Sequence, residues 1–515
     1  MIQLGNRDVV FQSTACHAAV PPSVRLKVTR RSACAILVFA VAMAAPLQSQ
    51  TIGPLPDTPP GRRLAELIAI INAGDYREVR SYAESTFSEE FIGGAIDERV
   101  DALMRLRAAS QGLTVVGVLS SSPERVVAEV ASRLAEVHQA LGVSVERSAP
   151  NRISMWFRGP VADRGAPRGA APPSEGEVVA AMSAFMDRLV AADAFSGTVL
   201  VGRGDSILML RAFGQARRNP DTANRTDTRF NIASVGKLFT AVAVAQLAEQ
   251  GRLRFDDPVA RHLGPEWMAP DLASQIRIEH LLTHRSGLGD YLESDAMLRA
   301  TAPARALDEY RPVIRAERPR ARPGAQFSYS NSGFIVLGAI VESVAGRPFT
   351  DYLQERVLGP ARMAGPSDWP RDRAAPPAPD FATGYTSRFS AAGIAWSDNT
   401  RRIAAVAPSP AGGQYASAED LWRFARALMT GALLRDSTWS AMAAPAPVRG
   451  GPPTGYGFEV QHRGEERIVG HGGSHEGIGA VLDIYLRSRY TLVALSNADR
   501  SAFAVREKFA SLVLR

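Results

Sequence analysis

The stretch from Leu238 to Ala248 is apolar at nearly every position, which predicts a helix buried on all sides. Such a helix leaves no polar face for solvent, so other elements must surround it. A serine and a lysine, Ser234 and Lys237, stand three residues apart just before this stretch. Residues at that spacing share one face of a helix. We therefore predict a hydroxyl and an amine side by side in the first turn of a buried helix.

A change of hydrophobic period marks a separate N-terminal region. Residues 61–73 carry apolar side chains at helical spacing, and two further helical stretches follow near 76–86 and 95–109. Short apolar runs separated by Gly, Ser and Pro then predict strands at Leu113–Leu119, Arg125–Val130, Gly142–Glu146 and Arg152–Phe157. Helices followed by strands predict a small α+β domain over residues 60–158. It resembles cystatin- or NTF2-like domains, and a packing or partner-binding role is favoured because no catalytic constellation is visible in it.

The remainder of the chain predicts one continuous domain over residues 177–515, after a Pro-, Gly- and Ala-rich linker at 159–176. The domain should open with a helix and a hairpin, and strands should return only near its end. The expected segments are helix Val178–Ala191, strands Gly197–Gly202, Ile207–Phe213, Tyr456–Gln461, Arg467–His471, Ile478–Leu486 and Tyr490–Ser496, and helix Ala502–Leu514. Because the first and last strands can pair, we predict one antiparallel sheet with helical material inserted between them.

Residues 1–49 have the pattern of an export leader. Basic residues precede an apolar run from Ala33 to Ala45, which is too short to span a bilayer comfortably, and small residues follow. An uncleaved N-terminal anchor is the alternative. Both cysteines, Cys16 and Cys34, fall in this segment, so the mature chain would hold no disulfide. We expect a periplasmic or secreted protein with no stable membrane span after leader removal.

The formal net charge of +7 gives little support for a nucleic-acid partner. The leader carries five basic residues and one acidic residue, and removing its net +4 leaves +3 for the rest of the chain. The arginines are spread along the sequence and form no stripe. We therefore expect no nucleic-acid binding, and the sequence leaves the oligomeric state unknown.

Lysine is rare in this chain, which makes Lys237 informative. Three lysines, Lys27, Lys237 and Lys508, occur among 59 basic residues. Arginine stays charged in proteins, whereas a buried lysine can lose its proton. A neutral Lys237 could accept the proton of Ser234 as the hydroxyl attacks a substrate. A Ser-x-x-Lys spacing also arises by chance, so this motif alone does not establish catalysis.

Two further motifs follow in order along the chain. Tyr-Ser-Asn at 329–331 begins 95 residues after Ser234, and His-Gly-Gly-Ser at 471–474 begins 142 residues later. Together with Ser-x-x-Lys they resemble the serine β-lactamase and penicillin-binding protein superfamily, in its class C-like branch of DD-carboxypeptidases, D-aminopeptidases and esterases. The likeness covers about 194–514. It implies a β-lactamase/transpeptidase-like α/β (α+β) fold, with an antiparallel sheet flanked by helices plus an all-helical region.

The resemblance assigns catalytic roles to four side chains. Ser234 would be the acylated nucleophile and Lys237 its proton acceptor. Tyr329 would relay the proton to the leaving group and activate the deacylating water. His471 would orient the substrate or keep Tyr329 poised.

The resemblance also implies a substrate-binding set. Asn331 would hold the substrate amide or carbonyl. The backbone N–H groups of Ser234 and Ser474 would form an oxyanion hole, and Gly473 would let that strand approach the substrate closely. The chemistry needs no cofactor, and we expect no metal.

His471 stands where class C β-lactamases carry lysine, so a fixed positive charge is missing. We predict a serine hydrolase that acts through an acyl-enzyme on an ester or peptide-like amide, of the esterase or D-amino-acid peptidase type. A β-lactamase and a catalytically silent cell-wall binding protein are the alternatives. His280 and His284 are spaced like a zinc pair, but Glu279 precedes the pair instead of standing inside it, which favours structural roles.

Overall fold

The structure is a computed structural model that describes residues 54–134, 137–161, 172–294, 306–363, 380–399, 408–446, 449–499 and 501–514. The predicted leader at 1–49 lies outside the described residues, as does the central part of the predicted linker at 159–176. Regular structure extends into both ends of that linker, since the strand before it ends at Pro160 and the helix after it begins at Glu175.

The N-terminal region folds as four helices followed by a four-stranded antiparallel sheet. Thr58 caps the first helix through its side chain, and Gly74 ends that helix in the left-handed conformation that glycine adopts without strain. Apolar side chains of the helices and of one sheet face form a single core. The helices are α1 Pro59–Ala73, α2 Tyr76–Thr86, α3 Glu89–Ile92 and α4 Ile96–Ser110, and the strands are β1 Leu113–Ser121, β2 Arg125–Ser132, β3 His138–Val145 and β4 Ile153–Pro160, paired in that order.

A six-stranded antiparallel sheet organises the C-terminal region. The strands are β5 Gly197–Arg203, β6 Ser206–Phe213, β13 Glu459–Arg463, β14 Glu466–His475, β15 Ile478–Tyr485 and β16 Tyr490–Ser496. Their order in the sheet is β13-β14-β15-β16-β5-β6, so the last strands of the chain pair with the first strands of this region. Helices α5 Glu175–Ala191 and α14 Ala502–Val513 share an apolar core with this sheet.

The helical region lies between β6 and β13 in sequence. The helix predicted after Ser234 is α6 Lys237–Glu249, and its residues from Lys237 to Ala245 are all buried, as the apolar pattern predicts. The other helices are α7 Pro270–Gln275, α8 Ile278–Leu282, α9 Arg311–Ala316, α10 Asn331–Ala345, α11 Phe349–Leu353, α12 Ala418–Met429 and α13 Asp436–Met442. Within the described ranges no single helix is long and apolar enough to cross a bilayer, although the bent pair Asn331–Ala345 and Phe349–Leu358 meets that test when taken together.

Strands also occur in the middle of the chain, so the expectation that they return only near the end was wrong. The additional strands are β7 Gln215–Arg218, β8 Asp221–Ala223, β9 Phe230–Asn231, β10 Tyr385–Ser390, β11 Gly393–Asp398 and β12 Tyr415–Ala416. Most are two to four residues long, too short for a period to be recognised. The hairpin β10–β11 is longer, but its outer strand is largely exposed and lacks the clear apolar alternation of a half-buried strand.

Candidate active site

Ser234 lies in a single 3-10 turn, Ala233–Gly236, that connects β9 to α6. The sequence predicted the first turn of the α-helix itself, and the tighter turn is common at helix N-termini. Ala233 adopts φ +44°, in the left-handed region that is unfavourable for alanine. The Asn231 side chain stabilises this bend, because its Oδ1 accepts from Ala233 N at 2.9 Å while its Nδ2 donates to Gly413 O at 3.1 Å. These contacts hold the backbone just before Ser234 in a defined bend.

The Lys237 amine faces three oxygen atoms inside the protein. Nζ lies 2.6 Å from Asn331 Oδ1, 2.5 Å from Ala411 O and 3.1 Å from Ser234 Oγ. The side chain is completely buried, and desolvation lowers the pKa of Lys237 from 10.5 to about 7. A substantial fraction of Lys237 is therefore neutral at neutral pH.

The same three contacts orient the lone pair of a neutral Lys237. The oxygens of Asn331 and Ala411 are carbonyl groups that can only accept hydrogen bonds, so they engage both N–H bonds of a neutral amine. The third position around Nζ faces Ser234 Oγ and is then occupied by the lone pair. A hydroxyl can donate into that lone pair. The arrangement thus suits proton transfer from Ser234 to Lys237.

Asp290 fixes which end of the Asn331 amide meets the lysine. Asn331 Nδ2 donates to Asp290 Oδ2 at 2.7 Å, and an ionised carboxylate accepts but cannot donate. The amide oxygen must therefore point towards Lys237. Asp290 also accepts from Leu292 N at 3.0 Å, although burial raises the pKa of its carboxyl group. No sequence motif indicates Asp290, which stands shortly after the segment 280–288.

Tyr329 also contacts Ser234. Its hydroxyl donates to Ser234 Oγ at 2.9 Å, and its ring lies 5.1 Å from Lys237 Nζ. Desolvation raises the pKa of Tyr329 above its ordinary value, so the phenol keeps its proton at neutral pH. Tyr329 is 39% exposed, whereas Lys237 is completely buried, so a substrate can reach the Tyr329 side chain directly.

His284 supports the loop that carries Tyr329. The two rings stack with centroids 4.3 Å apart, and His284 Nδ1 accepts from Ser330 N at 3.1 Å. Burial and the neighbouring Lys237 lower the pKa of His284 well below its usual value, so the ring is neutral with its proton on Nε2. The sequence favoured a structural role for His284 over a zinc site. Among the described residues there is no group of three or more His, Cys, Asp or Glu side chains that could hold a metal.

Strand β14 brings the third motif beside Ser234. A Cβ atom at Gly473 would lie 2.4 Å from Ile232 O and 3.1 Å from Ser234 N, so no larger residue fits there. Ser474 follows in the same strand and pairs in register with Gly479. The predicted oxyanion-hole donors, Ser234 and Ser474, therefore stand on the two segments that meet at Gly473.

His471 is buried in β14 and is 4% exposed. Its Nδ1 lies 2.5 Å from Gly472 O, and because a carbonyl only accepts, Nδ1 carries the proton. Burial lowers the pKa of His471, while Glu459, 3.6 Å from Nδ1, opposes that shift. No hydrogen bond joins His471 to Ser234 or Tyr329 in the described residues.

Glu459 belongs to a network of charges that the sequence analysis missed. Its Oε2 lies 3.1 Å from Arg506 Nη2, and Arg506 also bonds Asp483 with contacts of 2.5 and 2.8 Å. Glu459 Oε1 accepts from Gly472 N at 3.2 Å. Glu459 and Arg506 are 47 positions apart, so no local spacing could reveal the pair.

Residues 180–514 match the Beta-lactamase family. This chain belongs to that family. A penicillin-binding protein of Bacillus subtilis is 27% identical over 317 residues, covering 59% of this chain and 68% of the relative. The structure of the penicillin binding protein from Bacillus halodurans has 28% identity and a TM-score of 0.55, over 66% of this chain and 100% of that one. The D-stereospecific amidohydrolase from Streptomyces sp. has 25% identity and a TM-score of 0.52, over 65% and 98%.

The predicted superfamily and its β-lactamase/transpeptidase-like fold are thereby confirmed. The members of this fold family are serine hydrolases. Four predicted site residues form one connected group in the structure: Ser234, Lys237, Tyr329 and Asn331. Asn331 was predicted to hold the substrate, but both ends of its amide already engage Lys237 and Asp290. The catalytic and substrate-binding roles of these residues stay predictions.

Proposed function

We propose that this protein is an exported serine hydrolase that transfers the acyl group of an ester or peptide-like amide to Ser234. The observation that carries the proposal is the convergence of Lys237 Nζ and Tyr329 Oη on Ser234 Oγ, at 3.1 and 2.9 Å. One neighbour is a base with a pKa of about 7, and the other is a phenol that keeps its proton. A nucleophile between a base and an acid is what acyl transfer requires.

Acylation begins when Ser234 Oγ attacks the substrate carbonyl and its proton passes to Lys237. Backbone N–H groups at Ser234 and Ser474 stabilise the oxyanion. As the bond to the leaving group breaks, Tyr329 donates its proton to that group. The acyl-enzyme then stands beside a Lys237 ammonium and a Tyr329 phenolate.

Deacylation reverses these proton movements with water as the nucleophile. The Tyr329 phenolate takes one proton from water, and the hydroxide so formed attacks the acyl carbon. Lys237 returns its proton to Ser234 Oγ as that oxygen leaves. One water is consumed, a carboxylic acid is released, and both side chains recover their starting protonation states.

The charge around His471 favours neutral or amine-bearing substrates over carboxylates. A buried imidazole with a lowered pKa, beside Glu459, supplies no fixed positive charge for the carboxylate of a β-lactam. The names of the similar proteins, a D-stereospecific amidohydrolase and a penicillin binding protein, support a D-amino-acid amide or peptide, or a related ester. A β-lactamase is the second candidate, supported by the family match.

Activity profiling of the purified chain lacking residues 1–49 tests the proposal. The panel would contain p-nitrophenyl esters, D-Ala-D-Ala peptides, D-amino-acid amides and nitrocefin, with Ser234→Ala as the matched control. We expect turnover of an ester or a D-amino-acid substrate that is lost in Ser234→Ala. Efficient nitrocefin hydrolysis would favour the β-lactamase, and substrate binding without turnover would favour a silent cell-wall binding protein.

A further inference from the structure

The hairpin β10–β11 is one of the places where the small N-terminal domain contacts the hydrolase domain. Phe389 of β10 packs against the apolar core of the small domain. Asp101 of α4 accepts from Phe389 N at 3.0 Å and from Arg388 Nη1 at 3.1 Å. Arg105, one helical turn later, donates to Ser387 O at 3.3 Å. Three consecutive residues of β10 are thus held by one helix of the small domain.

The same strand is joined to the active-site sheet through Asp499. Ser387 donates to Asp499 Oδ2 from both N and Oγ, at 3.1 and 2.9 Å. The other carboxylate oxygen, Oδ1, accepts from Gly477 N at 3.4 Å. Gly477 lies in the turn between β14 and β15, three residues after Ser474. One carboxylate therefore connects the hairpin to the end of the strand that borders the nucleophile.

Close packing makes this connection stiff. Gly477 has φ +71°, and a Cβ atom there would lie only 2.6 Å from Tyr385 N. Tyr385 N in turn donates to Asn497 O at 2.8 Å, which joins the start of β10 to the residue that follows β16. The turn after Ser474 cannot shift towards β10 without displacing that strand.

A shift of this turn would change the position of β14 relative to Ser234. The backbone of Gly473 already contacts the Ile232–Ser234 segment so closely that no Cβ fits between them. A substrate carbonyl oxygen would meet the N–H groups of Ser234 and Ser474 beside this contact, so its position depends on how the two segments are aligned. Displacements of about 1 Å in such geometry can lower rates by about a hundredfold.

We propose that Asp101 is a positioning residue for acyl transfer at Ser234. Through its contacts with Arg388 and Phe389 of β10, and through Asp499, the small domain fixes the end of strand β14 that carries Ser474. The inference rests on the proposed function for its catalytic consequence. Asp101 is 4% exposed, so its two hydrogen bonds operate in a desolvated setting where their loss is poorly replaced by water. The small N-terminal domain would then support catalysis by positioning β14, without contributing a catalytic residue.

The test compares Asp101→Ala with Asp97→Ala in a protein that comprises residues 50–515. Asp97 lies on the same helix and pairs with Arg80 at 2.5 Å, but it makes no bond to the hairpin, so it is a matched control. Asp101→Asn is the conservative variant, because its amide oxygen can still accept from Phe389 N. Each variant would be titrated with a fluorophosphonate probe, which gives the number of active sites and the rate for each active site.

For Asp101→Ala we expect a labelling rate per site about tenfold lower, with partial recovery in Asp101→Asn and no change in Asp97→Ala. A merely structural role would lower the number of titratable sites and leave the rate per site unchanged. That result, or an equal effect of Asp97→Ala, would overturn the inference.

Hydrogen exchange of the β14–β15 peptide gives a readout that does not depend on activity. Asp101→Ala should accelerate exchange around Gly477, and Asp499→Asn should do the same with Asp101 intact. Unchanged exchange in both variants would also overturn the inference. A wild type that fails to react with any acylating probe but shows this exchange pattern would refute the proposed function and leave the positioning connection standing.

Discussion

Replacing Lys237 with methionine should change how the stability of the hydrolase domain depends on pH. Methionine keeps the apolar stem and removes the ionisable group. In the folded protein desolvation lowers the pKa of Lys237 from 10.5 to about 7, so the unfolded chain binds this proton more tightly. A folded-state pKa below the unfolded value means that stability rises with pH between the two values and that the penalty is complete below the lower one.

The magnitude follows from that pKa difference. Each pKa unit corresponds to about 1.4 kcal/mol, so a shift from 10.5 to about 7 amounts to roughly 4–5 kcal/mol over the whole interval. Between pH 7 and pH 9 the wild type should gain about 2–3 kcal/mol relative to Lys237→Met. The comparison cancels the titrating groups that do not interact with Lys237. The loss of the hydrogen bonds to Asn331 and Ala411 shifts the stability of Lys237→Met by a similar amount at each pH.

Chemical unfolding of both proteins at several pH values measures this difference directly. The acylation rate of the wild type, measured by probe labelling, should rise with pH and reach half of its maximum near pH 7, since the deprotonated amine is the base. A stability difference that stays flat from pH 7 to pH 9 would refute the reasoning. So would an acylation rate that is independent of pH across the same range.

Three further substitutions test individual contacts of the site. Tyr329→Phe removes the hydroxyl that donates to Ser234 Oγ and should lower kcat by about 10²–10⁴, with little change in Tm, as steady-state kinetics and thermal melting would reveal. Asp290→Asn removes a negative charge that raises the pKa of Lys237, so the midpoint of the acylation pH profile should move below its wild-type position; a midpoint that moves upward would contradict this. His471→Lys supplies a fixed positive charge and should increase affinity for β-lactams in a nitrocefin assay, and rapid nitrocefin turnover by the wild type would contradict the charge argument.

The sequence predicted the residues with the proposed chemical roles better than it predicted the residues that hold them in place. Ser234, Lys237 and Tyr329 stand in recognisable motifs, and the apolar stretch after Lys237 correctly predicted a buried helix. The groups that orient them, Asp290 and His284, act through contacts across tens of residues that no local pattern records. Pairing of distant segments is decided by packing, which spacing alone does not reveal.

The same holds for the fold: features set by neighbouring residues were predicted, and features that depend on residues far away in sequence were not. Helix α1 ends at Ala73, as the predicted helical stretch 61–73 does, and Gly74 caps it in the left-handed conformation, which is a local effect. Helix α10 begins at Asn331, three residues before the apolar run from Phe334, because Ser330 caps it through a hydrogen bond to Gly333 N. The hairpin β10–β11 was missed, and the contacts that β10 makes with Asp101 and Asp499 join it to residues that are far away in sequence.

Mass spectrometry of the protein after reaction with a fluorophosphonate tests the central claim most directly, since it asks whether Ser234 is acylated with Lys237 as its base. We expect one adduct per chain, located on Ser234 and absent from Ser234→Ala. The Lys237→Arg variant should fold but label about 10²–10⁴ times more slowly, because arginine keeps its proton. An adduct on another residue, or a folded Lys237→Arg variant that labels at the wild-type rate, would contradict the account.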